Sequence, residues 1–210
     1  MSRRLIVGLG NPGRQYHQTR HNVGWLVLDR LLAAHPPQSS RRRFDAELFE
    51  CRDGLDTWLL LKPLTFMNRS GLSVAAALNW YDLAPGELLV VCDDLNLPLG
   101  RLRLRRDGSA GGQKGLQDII TRLGHQEFPR LRLGIAAPPG GNAITHVLGS
   151  FAPDEREPMN EAIGRAASCV EMWARDGVET AMNTFNPAPA PPPGAPRDAP
   201  PAGTSAPESE

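Results

Sequence analysis

The stretch LIVGLGNPGRQYHQTRHNVG, residues 5–24, decides the fold because it joins a buried strand to a helix through a tight polar turn. Residues 5–7 are apolar and partly β-branched, which is typical of a buried strand. Glycines and Pro12 end the strand, and from Asn22, a residue type that caps helices, the apolar positions follow helical spacing. Ligands bind at the carboxyl ends of strands in an open α/β sheet. The turn therefore places His21, with two amides and an arginine, where chemistry is expected.

Two other interpretations of this turn compete with a catalytic one. Glycines spaced G-x-G-x-x-G over residues 8–13 match a dinucleotide-binding fingerprint. However, Pro12 precedes the last glycine, and the helical pattern begins only near Asn22, too late for the helix to cradle a pyrophosphate. The second alternative is a structural loop in which His21 merely caps the helix.

The rest of the chain alternates between predicted strands and predicted helices. Apolar or alternating runs predict strands at 46–51, 57–61, 88–92, 101–105 and 131–136, the first two joined by a hairpin turn. Helical spacing predicts helices at 70–81 and 114–123 and a long helix after Pro153. This order predicts an α/β fold, a three-layer single domain whose central mixed β-sheet is flanked by helices. We expect residues 1–186 to form that domain and residues 187–210, rich in proline and alanine, to form a disordered tail.

The composition bounds the class of protein. A chain of 210 residues with 40% hydrophobic residues can bury one substantial core. Three cysteines without metal-type or paired spacing argue for a reducing cytoplasm and against disulfides or a zinc site. No apolar run suits a signal peptide or a transmembrane segment, so we expect no membrane contact. With 23 basic and 23 acidic residues, any nucleic-acid contact must come from local arginine clusters, of which the main ones lie at 41–43, 101–106 and 130–132.

Four motifs in a fixed order resemble the bacterial peptidyl-tRNA hydrolase family. They are GLGNPG with TRHNVG (8–13 and 19–24), KPLTFMNRSG (62–71), DDLNLPLG (93–100) and GSAGGQKGLQDI (108–119). The resemblance covers roughly residues 4–186. It implies hydrolysis of the ester that joins a peptide to the 3′ ribose of tRNA, by a monomeric, cofactor-free cytoplasmic enzyme that recovers tRNA after aborted translation.

The resemblance also implies roles for the residues at the strand ends. His21 is the general base, which suits a side chain that titrates near neutral pH. Asp93 accepts a hydrogen bond from the other ring nitrogen and fixes the tautomer, although spacing alone does not separate Asp93 from Asp94. Asn11 distinguishes a blocked peptidyl end from a free aminoacyl end, and Asn68 holds the ester region of the substrate.

The remaining implied contacts are with the body of the substrate. Phe66 and Met67, with Tyr16, form an apolar wall near the terminal nucleotide or the acyl chain; without the resemblance, Phe66 and Met67 would be read as core residues. Arg105 and Arg132 bind the 5′-phosphate region of the tRNA. The alternation of arginine and leucine over residues 101–105 also fits an edge strand kept soluble by its charge.

Two adjacent positions depart from the family pattern. The glycine-rich loop usually continues His-Asn-Gly, whereas this chain has Gln113, Lys114 and Gly115. An ammonium has donors only, so Lys114 cannot replace the asparagine's acceptor, but it can reach a phosphate or ribose oxygen. Two hypotheses follow: Lys114 binds the 3′ end of the tRNA in an active enzyme, or the chain is a catalytically weak RNA-binding module of the same fold. The intact His21 favours the enzyme.

Overall fold

The computed structural model describes residues 2–138 and 140–187, so the predicted tail lies almost entirely outside the described residues. The strands are β1 (Arg3–Gly8), β2 (Ser39–Arg43), β3 (Ala46–Asp53), β4 (Asp56–Pro63), β5 (Leu88–Asp94), β6 (Leu102–Arg105) and β7 (Arg130–Gly134). The helices are α1 (Val23–Ala34), α2 (Ser70–Tyr81), α3 (Lys114–Leu123), α4 (Ala143–Val147), α5 (Pro153–Asp176) and α6 (Val178–Phe185).

The seven strands form one mixed sheet in the order β2-β3-β4-β1-β5-β7-β6. Strand β1 runs parallel to β4 and β5, and β5 runs parallel to β7. The pairs β2–β3, β3–β4 and β6–β7 are antiparallel. Helices α1, α5 and α6 share a hydrophobic core with one face of the sheet, and α2 and α3 share another with the opposite face. The predicted three-layer α/β architecture is confirmed.

Two glycines allow α1 to pack directly against the central strand. A Cβ on Gly8 would lie 2.4 Å from the carbonyl oxygen of Gly24, and a Cβ on Gly24 would lie 2.5 Å from the backbone nitrogen of Leu9. No larger residue fits at either position without moving backbone. Because α1 begins at Val23 and is held this close, the turn that precedes it ends beside the carboxyl end of β1. His21 is thereby fixed at the carboxyl edge of the parallel strands.

Two local predictions are wrong. No strand is predicted between residues 8 and 45, but β2 begins at Ser39 and forms the edge strand next to β3. It shows no alternation of apolar and polar residues because it is largely exposed. Asn22 occupies the N-cap position of α1, but its side chain makes no capping hydrogen bond, because it bonds the backbone of Asn11 instead.

Within the described residues, no helix is both long and apolar enough to cross a membrane. The three cysteines, Cys51, Cys92 and Cys169, are buried free thiols. Burial raises the pKa of the Cys169 thiol to about 12 and that of Cys92 even further above its usual range. These thiols therefore serve as core side chains and not as nucleophiles.

Candidate active site

The predicted site residues meet in one pocket of about 580 Å³ at the carboxyl ends of β1 and β5. The segment after β4 and the first turn of α3 complete its rim, and α4 forms a further wall. The pocket is lined by Asn11, His21, Phe66, Met67, Asn68, Asp93, Asp94, Leu95, Asn96, Gly111, Gly112, Gln113, Lys114, Arg132, Ala143, Ile144, Val147 and Leu148. Eight of the ten predicted site residues line this pocket, and only Tyr16 and Arg105 do not.

His21 and Asp93 form the central pair. The Nδ1 atom of His21 lies 2.9 Å from Oδ2 of Asp93, and the aspartate side chain is 3% exposed. A carboxylate oxygen only accepts hydrogen bonds, so Nδ1 is the donor in this pair, and a neutral imidazole held in this way has its lone pair on Nε2. The neighbouring Arg20 is ion-paired with Glu155 and anchors this turn to the start of α5. The geometry is that of a general base held in one tautomer by a buried carboxylate.

Gln113 holds the second oxygen of the same carboxylate. Its Nε2 atom donates to Oδ1 of Asp93 at 3.1 Å, and its Oε1 atom accepts from the backbone N–H of Leu116 at 2.8 Å. One side chain thus caps α3 and orients Asp93. The sequence patterns do not predict this role for Gln113. The available signal was its place at the start of a predicted helix, three residues before an N–H that needs an acceptor.

Three hydrogen bonds, two with Asn22 and one with Met67, hold Asn11 in place. Its backbone exchanges two hydrogen bonds with the buried side chain of Asn22, at 2.9 and 3.0 Å. Its own Oδ1 accepts from the backbone N–H of Met67 at 2.8 Å. The Nδ2 group has no partner among the described residues and belongs to a side chain that lines the pocket. Asn11 therefore presents an oriented amide donor without charge.

Three more predicted residues line the rim. Asn68 and Lys114 are exposed, and Phe66 is 59% exposed. Met67, in contrast, is 4% exposed and belongs to the core while also reaching the pocket. Tyr16 is half-buried in the turn before His21 and does not line the pocket.

The two predicted phosphate ligands have different environments. Arg132 is largely buried, donates to Asp94 Oδ2 at 3.1 Å and donates to the carbonyl of Ser109 at 2.8 Å. Arg105 is exposed on the edge strand β6, with no ion-pair partner among the described residues. Both lie on the same face of the sheet, because β6 and β7 pair Arg105 with Arg130 and Arg103 with Arg132. Arg105 and Arg132 therefore lie on one face of the sheet, but only Arg105 is exposed.

Arg130 supports the glycine-rich loop from below. It is 1% exposed, and its guanidinium donates to the backbone carbonyls of Gly108, Gln126 and Phe128. Burial, with the nearby charge of Arg132, lowers the pKa of Arg130 to about 10. A guanidinium in this position ties the loop that leads to Gln113 to the sheet, so its role is in positioning.

The α/β sheet and a pocket that holds a histidine–carboxylate pair beside amide groups define the class of protein as a hydrolase. Within the residues that the structure describes, no group of three or more metal-type ligands is present. Residues 5–192 match the family model described as peptidyl-tRNA hydrolase. The chain belongs to the peptidyl-tRNA hydrolase family.

Individual relatives match over most of their length. A peptidyl-tRNA hydrolase of Desulforamulus reducens is 48% identical over 183 residues, which cover 87% of this chain and 88% of that protein. One from Syntrophomonas wolfei is 47% identical and is covered completely. The crystal structure of peptidyl-tRNA hydrolase from Acinetobacter baumannii gives a TM-score of 0.81 at 37% identity, covering 87% of this chain and 94% of that chain. The fold and the family therefore agree.

Proposed function

We propose that this chain hydrolyses the ester bond of peptidyl-tRNA, and of N-blocked aminoacyl-tRNA, releasing tRNA and the peptide after aborted translation. The observation that carries the proposal is the His21–Asp93 pair, 2.9 Å apart, in a pocket where Asn11 and Asn68 offer uncharged amides. Membership of the family supports the same reaction. Nothing favours the inactive alternative, and Gln113 supports the enzyme because it bonds the carboxylate of Asp93.

The proposed chemistry is direct attack by water. Nε2 of His21 takes a proton as the water oxygen bonds the acyl carbon, and Asp93 stabilises the imidazolium that forms. The carbonyl oxygen becomes an oxyanion that accepts hydrogen bonds from the amides of Asn11 and Asn68. When the tetrahedral intermediate collapses, the bond to the ribose oxygen breaks, and that oxygen takes the proton from His21. No cofactor takes part in this sequence of steps.

We propose that the tRNA lies across the α3 side of the site. Lys114, on the first turn of α3, faces the 3′ end, and Arg105 on the arginine face contacts the 5′-phosphate region. We also assign Arg132 to the phosphate contacts, since it lines the pocket, while its ion pair with Asp94 holds it in place. Tyr16, Phe66 and Met67 would bound the terminal nucleotide or the acyl chain.

We also propose, as the family resemblance implies, that the enzyme acts as a monomer in the cytoplasm. The testing experiment is release of N-acetyl-aminoacyl groups from tRNA by the purified protein, with a chelator present. The matched substrate is the same aminoacyl-tRNA without the acetyl group. We expect rapid release only from the blocked substrate. No release from either one would refute the proposed function.

A further inference from the structure

A second concave surface lies next to the catalytic pocket, and the proposed mechanism does not use it. It is a groove of about 580 Å³ between the turn that joins β2 to β3 and the segment from Leu64 to the first turn of α2. We call it the arginine groove and define it by Arg42, Arg43, Phe44, Thr65, Phe66 and Arg69. Phe66 lines both the groove and the catalytic pocket, so the two are continuous.

The groove carries unneutralised positive charge. Arg69 is exposed, and its guanidinium has no hydrogen-bond or ion-pair partner among the described residues. The guanidinium of Arg43 stacks on Trp80, 3.5 Å from the ring centroid, and likewise has no anionic partner in the described part of the chain. Arg42 is 80% exposed and lies 4.0 Å from Glu47. The lining contains one carboxylate, Asp45, so the groove remains net positive.

Stacking prepares Arg43 to bind an anion. A guanidinium on an aromatic face keeps its plane fixed, and its N–H donors point outward around the edge. Such a fixed fork matches the two oxygens of a carboxylate and loses less side-chain entropy on binding than a freely rotating arginine does. The arginine groove therefore suits an anionic group of a ligand that extends from the catalytic pocket along Phe66.

The topology decides which part of the substrate arrives there. The groove lies at the β2 edge of the sheet, whereas the proposed tRNA contact Arg105 lies on β6 at the opposite edge. The proposed site holds the ester between Asn11 and Asn68. If the RNA extends from there toward β6, the peptide extends in the opposite direction, toward β2 and the arginine groove. Arg69 directly follows Asn68 in one helical turn. An extended peptide gains about 3.3 Å per residue, so residues just beyond the esterified one reach this turn.

We propose that the arginine groove is a subsite for the peptide and favours acidic side chains at the second and third residues from the ester. This inference rests on the proposed function, because it assumes that a peptide ester occupies the catalytic pocket. Its selectivity arises from carboxylate–guanidinium pairs at Arg69 and Arg43, with Phe66 and Phe44 contacting the intervening apolar parts. Exposed pairs of this kind are weak individually, so we expect preferences in KM and not in kcat.

The test compares N-acetyl-tripeptidyl-tRNAs that share the esterified residue and carry glutamate, glutamine or lysine at the next two positions. For the wild-type chain we expect KM to be about threefold lower with glutamate than with glutamine, and highest with lysine. Arg69→Glu should reverse the order of glutamate and lysine while leaving kcat within about twofold. Arg43→Glu, which also removes the stacking on Trp80, should act in the same direction and provides a second variant if one folds poorly.

A matched control is Arg52→Glu, which makes the same change in net charge at an exposed position near the far end of β3. It should leave the order of KM values unchanged. Equal KM values for all three substrates with the wild-type chain would refute the peptide subsite, while their hydrolysis would uphold the proposed function. If Arg69→Glu weakened all substrates equally, including N-acetyl-aminoacyl-tRNA, and flattened the salt dependence, the groove would bind RNA and the proposal would be wrong. Hydrolysis of none of them would refute the proposed function and this inference together.

Discussion

Two substitutions of Gln113 separate its two roles, which are to donate a hydrogen bond to Asp93 and to cap α3. Gln113→Ser keeps an oxygen that can cap the N–H of Leu116, since serine is a strong N-cap residue, but it removes the donor to Asp93. Gln113→Ala removes both. A hydrogen bond to a charged group contributes about 1.5–3 kcal/mol. If that contribution is lost in the transition state, where Asp93 must stabilise a charged His21, kcat falls about ten- to hundredfold in both variants.

Stability should distinguish the two variants of Gln113. Losing an N-cap costs about 1 kcal/mol, so Gln113→Ala should unfold at lower urea concentration while Gln113→Ser stays near the wild type. The measurements are kcat and KM with N-acetyl-aminoacyl-tRNA, and urea unfolding followed by circular dichroism. Wild-type kcat in Gln113→Ser would refute the role of the amide in orienting Asp93. Equal loss of stability in both variants would refute the capping role.

Four further substitutions test other parts of the site. His21→Ala should reduce kcat by about 10²–10⁴-fold while the protein stays folded and binds tRNA; near-normal turnover would remove His21 from the mechanism. Arg105→Ala should raise KM more than it lowers kcat and reduce the salt dependence of binding, and an unchanged salt slope would make this residue merely solubilising. Lys114→Ala should raise KM for the same substrate, whereas wild-type KM would show that the ammonium does not contact the 3′ end. Asp94→Ala leaves Arg132 buried without its ion-pair partner, so unfolding experiments should show a loss of about 3 kcal/mol; a change below about 0.5 kcal/mol would show that the pair contributes little.

The elements with a clear hydrophobic pattern could be predicted from the sequence. The helices over α2 and α3 begin and end at the predicted residues, and the predicted edge strand of alternating arginine and leucine is β6, at the end of the sheet. Strand β2 was missed because pairing with β3, and not burial, holds it in place. A run of exposed arginines carries no period from which a strand can be recognised.

Most of the predicted site residues line the pocket, but the hydrogen bonds between them could not be predicted. His21 and Asn11 stand out because they follow a buried strand in a glycine-rich turn, and the family resemblance added Asn68 from a distant motif. The bonds of Asn22 and Gln113 depend on contacts between segments far apart in the chain. Both side chains sit at helix N-termini, where local rules favour capping. The Asn22 side chain instead bonds the backbone of Asn11, because tertiary packing brings the two residues together.

Strand parity explains why the first of the two adjacent aspartates, and not the second, meets the histidine. Successive side chains of a strand point to opposite faces of the sheet. Val91 packs in the core shared with α1, and Asp93, two residues later, emerges on the same side, where α1 begins and His21 lies. Asp94 has the opposite parity and meets Arg132 on the side of α2 and α3. The apolar residues of β5 therefore determine which carboxylate can polarise the base, although the sequence alone does not show on which face of the sheet α1 packs.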